Sequence, residues 1–135
     1  MTPKTNSPDL PELTRFELEI MQVVWDLGSA TAAEVGQRLG RELAGTTIHT
    51  VLANLRRKGY LAPVPTVERA LRFAPSVARE QVATRSLRRL LGDFFEGSPL
   101  RLMAHLKSEE AVDEKELREI AALLKETKRG RKPQA

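Results

Sequence analysis

Residues 46–59 read Thr46-Thr47-Ile48-His49-Thr50-Val51-Leu52-Ala53-Asn54-Leu55-Arg56-Arg57-Lys58-Gly59. Ile48, Val51, Leu52 and Leu55 recur at helical spacing and Gly59 stops the run, so the stretch predicts a helix from Thr46 to Lys58. Turning that helix by about 100° per residue sets Thr46, Thr50, Ala53 and Arg57 opposite the apolar stripe, with Thr47, His49 and Asn54 on the flanks. A helix entering the major groove of duplex DNA needs such a small, polar outer face. Hydroxyls and amides bond base edges, a threonine methyl or an alanine meets the thymine methyl, and bulk would block approach. Thr46, Thr47, His49, Thr50 and Asn54 are therefore candidate base readers. Arg56, Arg57 and Lys58, at the far end of the helix, suit phosphate contact better than base contact. Taken singly, each feature has a plainer account. Thr46 is equally suited to capping the helix, the basic run to a solvated helix end that favours the dipole, and His49 to an ordinary surface position.

Working toward the N-terminus, Thr31-Ala32-Ala33-Glu34 is a capping box, followed by Val35 and Leu39 on a short helix that Gly40 closes. Thr14-Arg15-Phe16-Glu17 is a second capping box, with Leu13 and Leu18 placed as a staple. It opens a helix ending near Gly28, with Leu13, Phe16, Ile20, Val24 and Leu27 toward a core and Glu17, Glu19 and Asp26 expected outside. Toward the C-terminus, 60–67 and 69–73 carry β-branched, aromatic and partly alternating residues, which predict two short strands. Pro63 and Pro65 restrict the first strand to an edge, and Pro75 ends the second. Three helices and then a hairpin is the order of a winged helix-turn-helix. Arg69 and Arg72 in the hairpin add two further candidate phosphate contacts.

The remainder reads as helical. Ala83, Leu87, Leu90, Leu91 and Phe94 share one face of 77–96; Leu100 to Leu106, including Leu102, follow Gly97-Ser98-Pro99; Leu117, Ile120, Ala121 and Leu124 form a last stripe. So small a lobe buries little by itself and completes its core most economically against a second copy. Leu87, Leu90, Leu91, Phe94, Leu102, Leu106, Leu117, Ile120 and Leu124 are thus the expected dimerisation residues. The expected organisation is a Pro-punctuated disordered leader at 1–11, a winged-helix domain at 12–75, a helical dimerisation domain at 76–128 and a basic disordered tail at 129–135. The fold class is mainly α with a small β-hairpin wing.

Charge placement supports this division. The chain has 135 residues, 41% of them hydrophobic and 30% charged, with a net charge of +4. Residues 10–40 hold two basic and five acidic side chains, whereas 41–75 hold six basic and two acidic, so positive charge gathers on the third helix and the hairpin. An acidic stretch at 109–124 is followed by a basic one at 125–132, the latter free to fold back onto acid, to touch DNA nonspecifically or to solubilise the end. With no cysteine, disulfides, thiolate metal sites and cysteine nucleophiles are excluded. No apolar run approaches a membrane span and the N-terminus lacks a signal-peptide core, which predicts a cytoplasmic protein with no membrane partner. His49 and His105 are the only histidines, without a carboxylate-rich companion motif, and no nucleophile–base pair can be assembled. Neither catalysis nor a cofactor is expected.

The chain resembles the penicillinase-repressor family, the BlaI/MecI type of bacterial winged-helix regulators. The resemblance rests on Leu13-Thr14…Glu17-Leu18-Glu19-Ile20-Met21…Val24-Trp25, on Thr47-Ile48-His49-Thr50-Val51-Leu52…Leu55…Lys58-Gly59, and on Arg72-Phe73-Ala74-Pro75, and it spans about residues 12–128. It implies a dimeric repressor on an inverted repeat in promoter DNA, with Thr47, His49 and Thr50 in the base-reading segment. It also implies a regulatory protease as a possible partner, cutting an Asn–Phe bond in the dimerisation lobe of β-lactam-responsive members. His105-Leu106 stands at the equivalent position here and departs from that pair. The copper-responsive members carry a cysteine cluster that this chain lacks. Two other readings fit the residues: a winged helix used as a protein-interaction module, and a ligand-sensing regulator.

Overall fold

The structure, a computed structural model, describes residues 10–130. Helix α1 covers Arg15–Leu27, strand β1 Ala30–Thr31, helix α2 Ala32–Leu39 and helix α3 Gly45–Lys58; strands β2 (Leu61–Pro63) and β3 (Arg72–Pro75) follow, then α4 (Arg79–Phe94), α5 (Pro99–Ser108) and α6 (Glu114–Gly130). The chain divides into two compact units between Ser86 and Leu87. The leader expected at 1–11 and the tail expected at 129–135 fall mostly outside the described residues.

Both capping boxes form. The Thr14 hydroxyl accepts from the Glu17 backbone N–H at 3.1 Å and the Glu17 carboxylate accepts from the Thr14 N–H at 2.8 Å; Thr31 and Glu34 repeat the exchange at 3.2 and 3.1 Å. Helix α3 starts differently. Its N-cap is Ala44, with no side-chain cap bond, so Thr46 lies inside the first turn and does not cap.

The N-terminal unit closes over one core: Ile20, Met21 and Val24 of α1, Val35 of α2, Ile48, Leu52 and Leu55 of α3, and Tyr60, Leu61 and Phe73 from the sheet. Gly36 lets α2 and α3 approach closely, since a Cβ there would stand 3.2 Å from Ile48 Cδ1. Two expectations for α1 are corrected. Leu27, expected in the core, is 41% exposed: it stands outside the packed apolar cluster and lines an open groove with the polar side chains of Ser29, Glu34, Gln37, Arg38 and Arg72. Glu17, expected outside, is 5% exposed. Its position three residues before Ile20 and four before Met21 puts it on the inner face, where its charge is met by Lys58 of α3.

Three antiparallel strands run in the order β1-β3-β2. Ala30 pairs with Phe73 and Thr31 with Arg72; Leu61, Ala62 and Pro63 pair with Pro75, Ala74 and Phe73. Pro63 thus sits on an edge strand, as its missing N–H requires. The strands are shorter than expected, and β1 is an addition: two residues with no strand pattern of their own, drawn into the sheet by β3. The hairpin is the wing. The start of α4 also belongs to the N-terminal unit, since Trp25 Nε1 donates to the Val77 carbonyl at 2.9 Å and Arg79 pairs with Asp26 at 2.8 Å. Leu10 packs against the core and the Pro11 carbonyl accepts the Tyr60 hydroxyl, so ordered packing begins before the Leu13 start that the sequence suggests.

The C-terminal unit has a different character. No side chain described in it is fully buried. Leu87, Leu90, Phe94 and Leu124 are exposed, Phe94 to 74%, while Leu91, Leu102, Leu106, Leu117 and Ile120 are half-buried. No helix among the described residues is long and apolar enough to cross a membrane.

Candidate nucleic-acid interface

The apolar stripe of α3 is consumed by the core, and this fixes what its other side can do. Thr46, Thr47, His49, Thr50, Ala53, Arg56 and Arg57 are all exposed along one outward face, while Asn54 is half-buried at its edge. The structure therefore brings four of the five candidate base readers onto an open surface. Asn54 is placed differently: its Oδ1 accepts from Arg57 Nη1 at 2.8 Å, so the amide braces an arginine one turn on. That spacing of three residues was visible in the sequence as a side-chain pair on one helix face.

The six cations between 41 and 75 separate into two groups. Arg41 reaches back to α1, 2.7 Å from Glu19 and with its guanidinium 5.4 Å from the centroid of the Phe16 ring. Lys58 donates to Glu17 at 2.7 Å and to the Glu12 carbonyl at 3.1 Å. Arg72 lies between Glu34 and Glu68 at 2.8 and 3.1 Å. Lys58 and Arg72, expected at phosphates, thus have their donors engaged inside the chain. Arg56, Arg57 and Arg69 have no carboxylate partner among the described residues. Two of these stand at the C-terminal end of α3 and the third on the exposed wing loop.

The paired carboxylates report these environments. Burial works to raise the Glu17 carboxyl, but the Lys58 ammonium and the Thr14 backbone N–H and hydroxyl together hold it below its ordinary value. Glu34 is held low first by Arg72 and then by the Thr31 N–H, and Glu68 by Arg72. Sequence reasoning missed all three acids as partners. Their signal was partial: Glu17 and Glu34 each close a capping box, and Glu68 stands four residues before Arg72. Among the described residues no group of three His, Asp or Glu side chains is arranged to hold a metal ion.

His105-Leu106 lies within α5, with the His105 ring edge-on to Phe95 at a centroid distance of 5.4 Å. His105 is exposed and Leu106 half-buried.

The family model described as Penicillinase repressor matches residues 13–126, nearly the whole described chain. The chain belongs to the penicillinase repressor family. Like that family, it is a DNA-binding transcriptional regulator of the winged-helix type. Among solved structures it is similar to the DNA-binding domain of the repressor BlaI, at 28% identity and a TM-score of 0.47 over 54% of this chain and 90% of that one. It is also similar to a cysteine-to-serine mutant of MarR from E. coli complexed with operator DNA, at 14% identity and a TM-score of 0.50 over 86% and 76% of the two chains. A third similar structure is YusO from Bacillus subtilis, at 13% identity and a TM-score of 0.48 over 87% and 76%. No curated protein matches the chain. Membership of the penicillinase repressor family accords with the motifs in α1, α3 and β3, and the MarR likeness with the winged-helix fold.

Proposed function

We propose that this member of the penicillinase repressor family is a homodimeric repressor that binds an inverted repeat in promoter DNA through α3. The observation that carries the reading is the coincidence of a small polar helix surface with Arg56 and Arg57 on the open face of α3, and of Arg69 on the exposed wing loop, none of the three having a carboxylate partner among the described residues. Thr46, Thr47, His49 and Thr50 read base edges, with Asn54 holding Arg57 at their side. The three arginines contact phosphates and supply the salt-sensitive, sequence-independent part of the affinity. Family membership supports DNA as the partner.

The dimer is supported by the apolar residues that the C-terminal unit leaves open, Leu87, Leu90, Phe94 and Leu124 among them. A second copy of the same surface would cover them. Two readers so joined meet successive major-groove faces about 34 Å apart, or a multiple of that, and repression follows from occupying DNA that RNA polymerase needs. A regulatory protease acting at His105-Leu106 would have to open α5 first, since both residues are helical.

The test is a mobility-shift titration against the promoter DNA of its own gene across a range of salt, paired with sedimentation of wild type and Leu90→Glu. Salt-sensitive binding by a dimer, with Leu90→Glu monomeric and binding far more weakly, is the expected result. Absence of salt-sensitive binding at low salt overturns the DNA reading, and a monomeric wild type overturns the dimer. Partner capture that persists at high salt without DNA binding would favour a protein-interaction module instead.

A further inference from the structure

Leu61 and Phe73 anchor the strands of the wing in the core, but its loop is held by charge and not by burial. The strands are only three and four residues long, and in the loop between them Val67 is fully exposed and Leu71 61% exposed. Arg72 stands at the base of this loop, opposite Thr31 in the sheet register. Its Nη1 donates to Glu34 Oε1 at 3.1 Å and to Ser29 Oγ at 3.2 Å, and its Nη2 to Glu34 Oε2 at 2.8 Å. On the other edge of the fork, Nε donates to Glu68 Oε1 at 3.1 Å and Nη2 to Glu68 Oε2 at 3.2 Å. Glu34 Oε1 also accepts the Thr31 backbone N–H, and the Glu68 N–H is accepted by Thr66 Oγ1 at 3.0 Å. One guanidinium therefore joins the first turn of α2 to the wing loop, each carboxylate bound at two points.

We propose that Arg72 is a positioning residue for DNA binding, and that the Glu34–Arg72–Glu68 clamp sets the wing so that Arg69, next to Glu68, faces the phosphate backbone. This rests on the DNA-binding reading above. Charge argues for it: two carboxylates and one guanidinium carry a net negative charge, so the cluster does not attract phosphate. Geometry argues for it as well. A guanidinium binds two carboxylates edge-on in one plane, which the point charge of a lysine does not reproduce.

The experiment measures affinity and its salt dependence on a random-sequence DNA duplex, since phosphate contacts are independent of sequence. The proteins are wild type, Arg69→Ala, Arg72→Lys, Glu68→Ala and the double variant Arg69→Ala/Arg72→Lys, each shown folded by its melting curve. Arg72→Lys keeps the charge, yet is expected to weaken binding about 5-fold and to shallow the salt slope by about 0.9, as Arg69→Ala does. Glu68→Ala removes a negative charge and is expected to weaken binding too, against the electrostatic sign. In the double variant the loss of Arg69 adds nothing further. Wild-type affinity for Arg72→Lys, tighter binding for Glu68→Ala, or additive losses in the double variant would each overturn the proposal. Should Arg72→Lys not fold, Glu68→Ala, which leaves the Glu34 capping box intact, decides it alone. If wild type shows no salt-dependent binding, the DNA reading itself fails; if wild type binds and Arg72→Lys is unchanged, only the positioning role does.

Discussion

Lys58 Nζ, at the last residue of α3, lies 2.7 Å from Glu17 Oε1 in the first turn of α1, across 41 residues of sequence. The same ammonium reaches the Glu12 carbonyl. The end of the reader helix is thus tied to the start of the scaffold helix by a contact that the fold largely closes from water, with Glu17 the more buried partner.

Removing the cation leaves Glu17 buried beside no opposite charge. Lys58→Met is expected to destabilise the protein by about 2–3 kcal/mol, somewhat less than breaking a fully buried pair, because Lys58 keeps some contact with solvent. Chemical denaturation measures it. Glu17→Gln in the Lys58→Met background should recover much of the loss, and a double variant no more stable than Lys58→Met would contradict the assignment.

Acid should act through the same group. Glu17, Glu34 and Glu68 are all held below their ordinary value of 4.5 in the folded chain. A carboxyl depressed by folding contributes stability above its unfolded pKa, and that contribution is lost as pH falls through its folded pKa. The melting temperature should therefore decline as pH is lowered from about 4.5. Glu17→Gln should decline less steeply than wild type over that range, and parallel curves would count against Glu17 as a contributor.

On DNA, Arg57 and Thr50 should fail in different ways. Arg57→Ala is expected to weaken binding to specific and random duplexes alike and to reduce the salt slope by about 0.9. Thr50→Ala should cost about 1 kcal/mol on the preferred sequence and little on random DNA. Equal losses on both duplexes for Thr50→Ala would remove it from the base readers.

Gly59 ends α3 at a φ of 96°, a backbone conformation that a Cβ disfavours. A Cβ there would also stand 2.9 Å from Leu10 Cδ2. Gly59→Ala should destabilise by about 1–2 kcal/mol, most of it backbone strain, since Leu10 can move aside. Leu10→Ala combined with Gly59→Ala separates the two: relief of contact alone would restore stability, whereas strain would persist.

Several elements of this architecture are legible in local patterns. Two capping boxes, the stripe Ile48, Val51, Leu52 and Leu55, and the glycines at 40 and 59 announce three helices because each signal acts within one or two turns of chain. The outward threonine face of α3 follows from the same geometry. Strand β1 was invisible, since Ala30 and Thr31 become a strand only when β3 supplies its edge.

The sequence by itself therefore determined where α1 and α2 begin, where α2 and α3 end, which side of α3 is apolar, and where positive charge collects. Tertiary structure alone decided which charges are available. Arg72 and Lys58 looked like Arg56 and Arg57 in the chain, yet folding brought Glu34, Glu68 and Glu17 to them and left the two arginines facing outward. The physical reason is range. Helix periodicity and capping are set by neighbours three or four residues away, whereas an ion pair is set by whichever acid the topology delivers within about 3 Å, here from 38 and 41 residues distant.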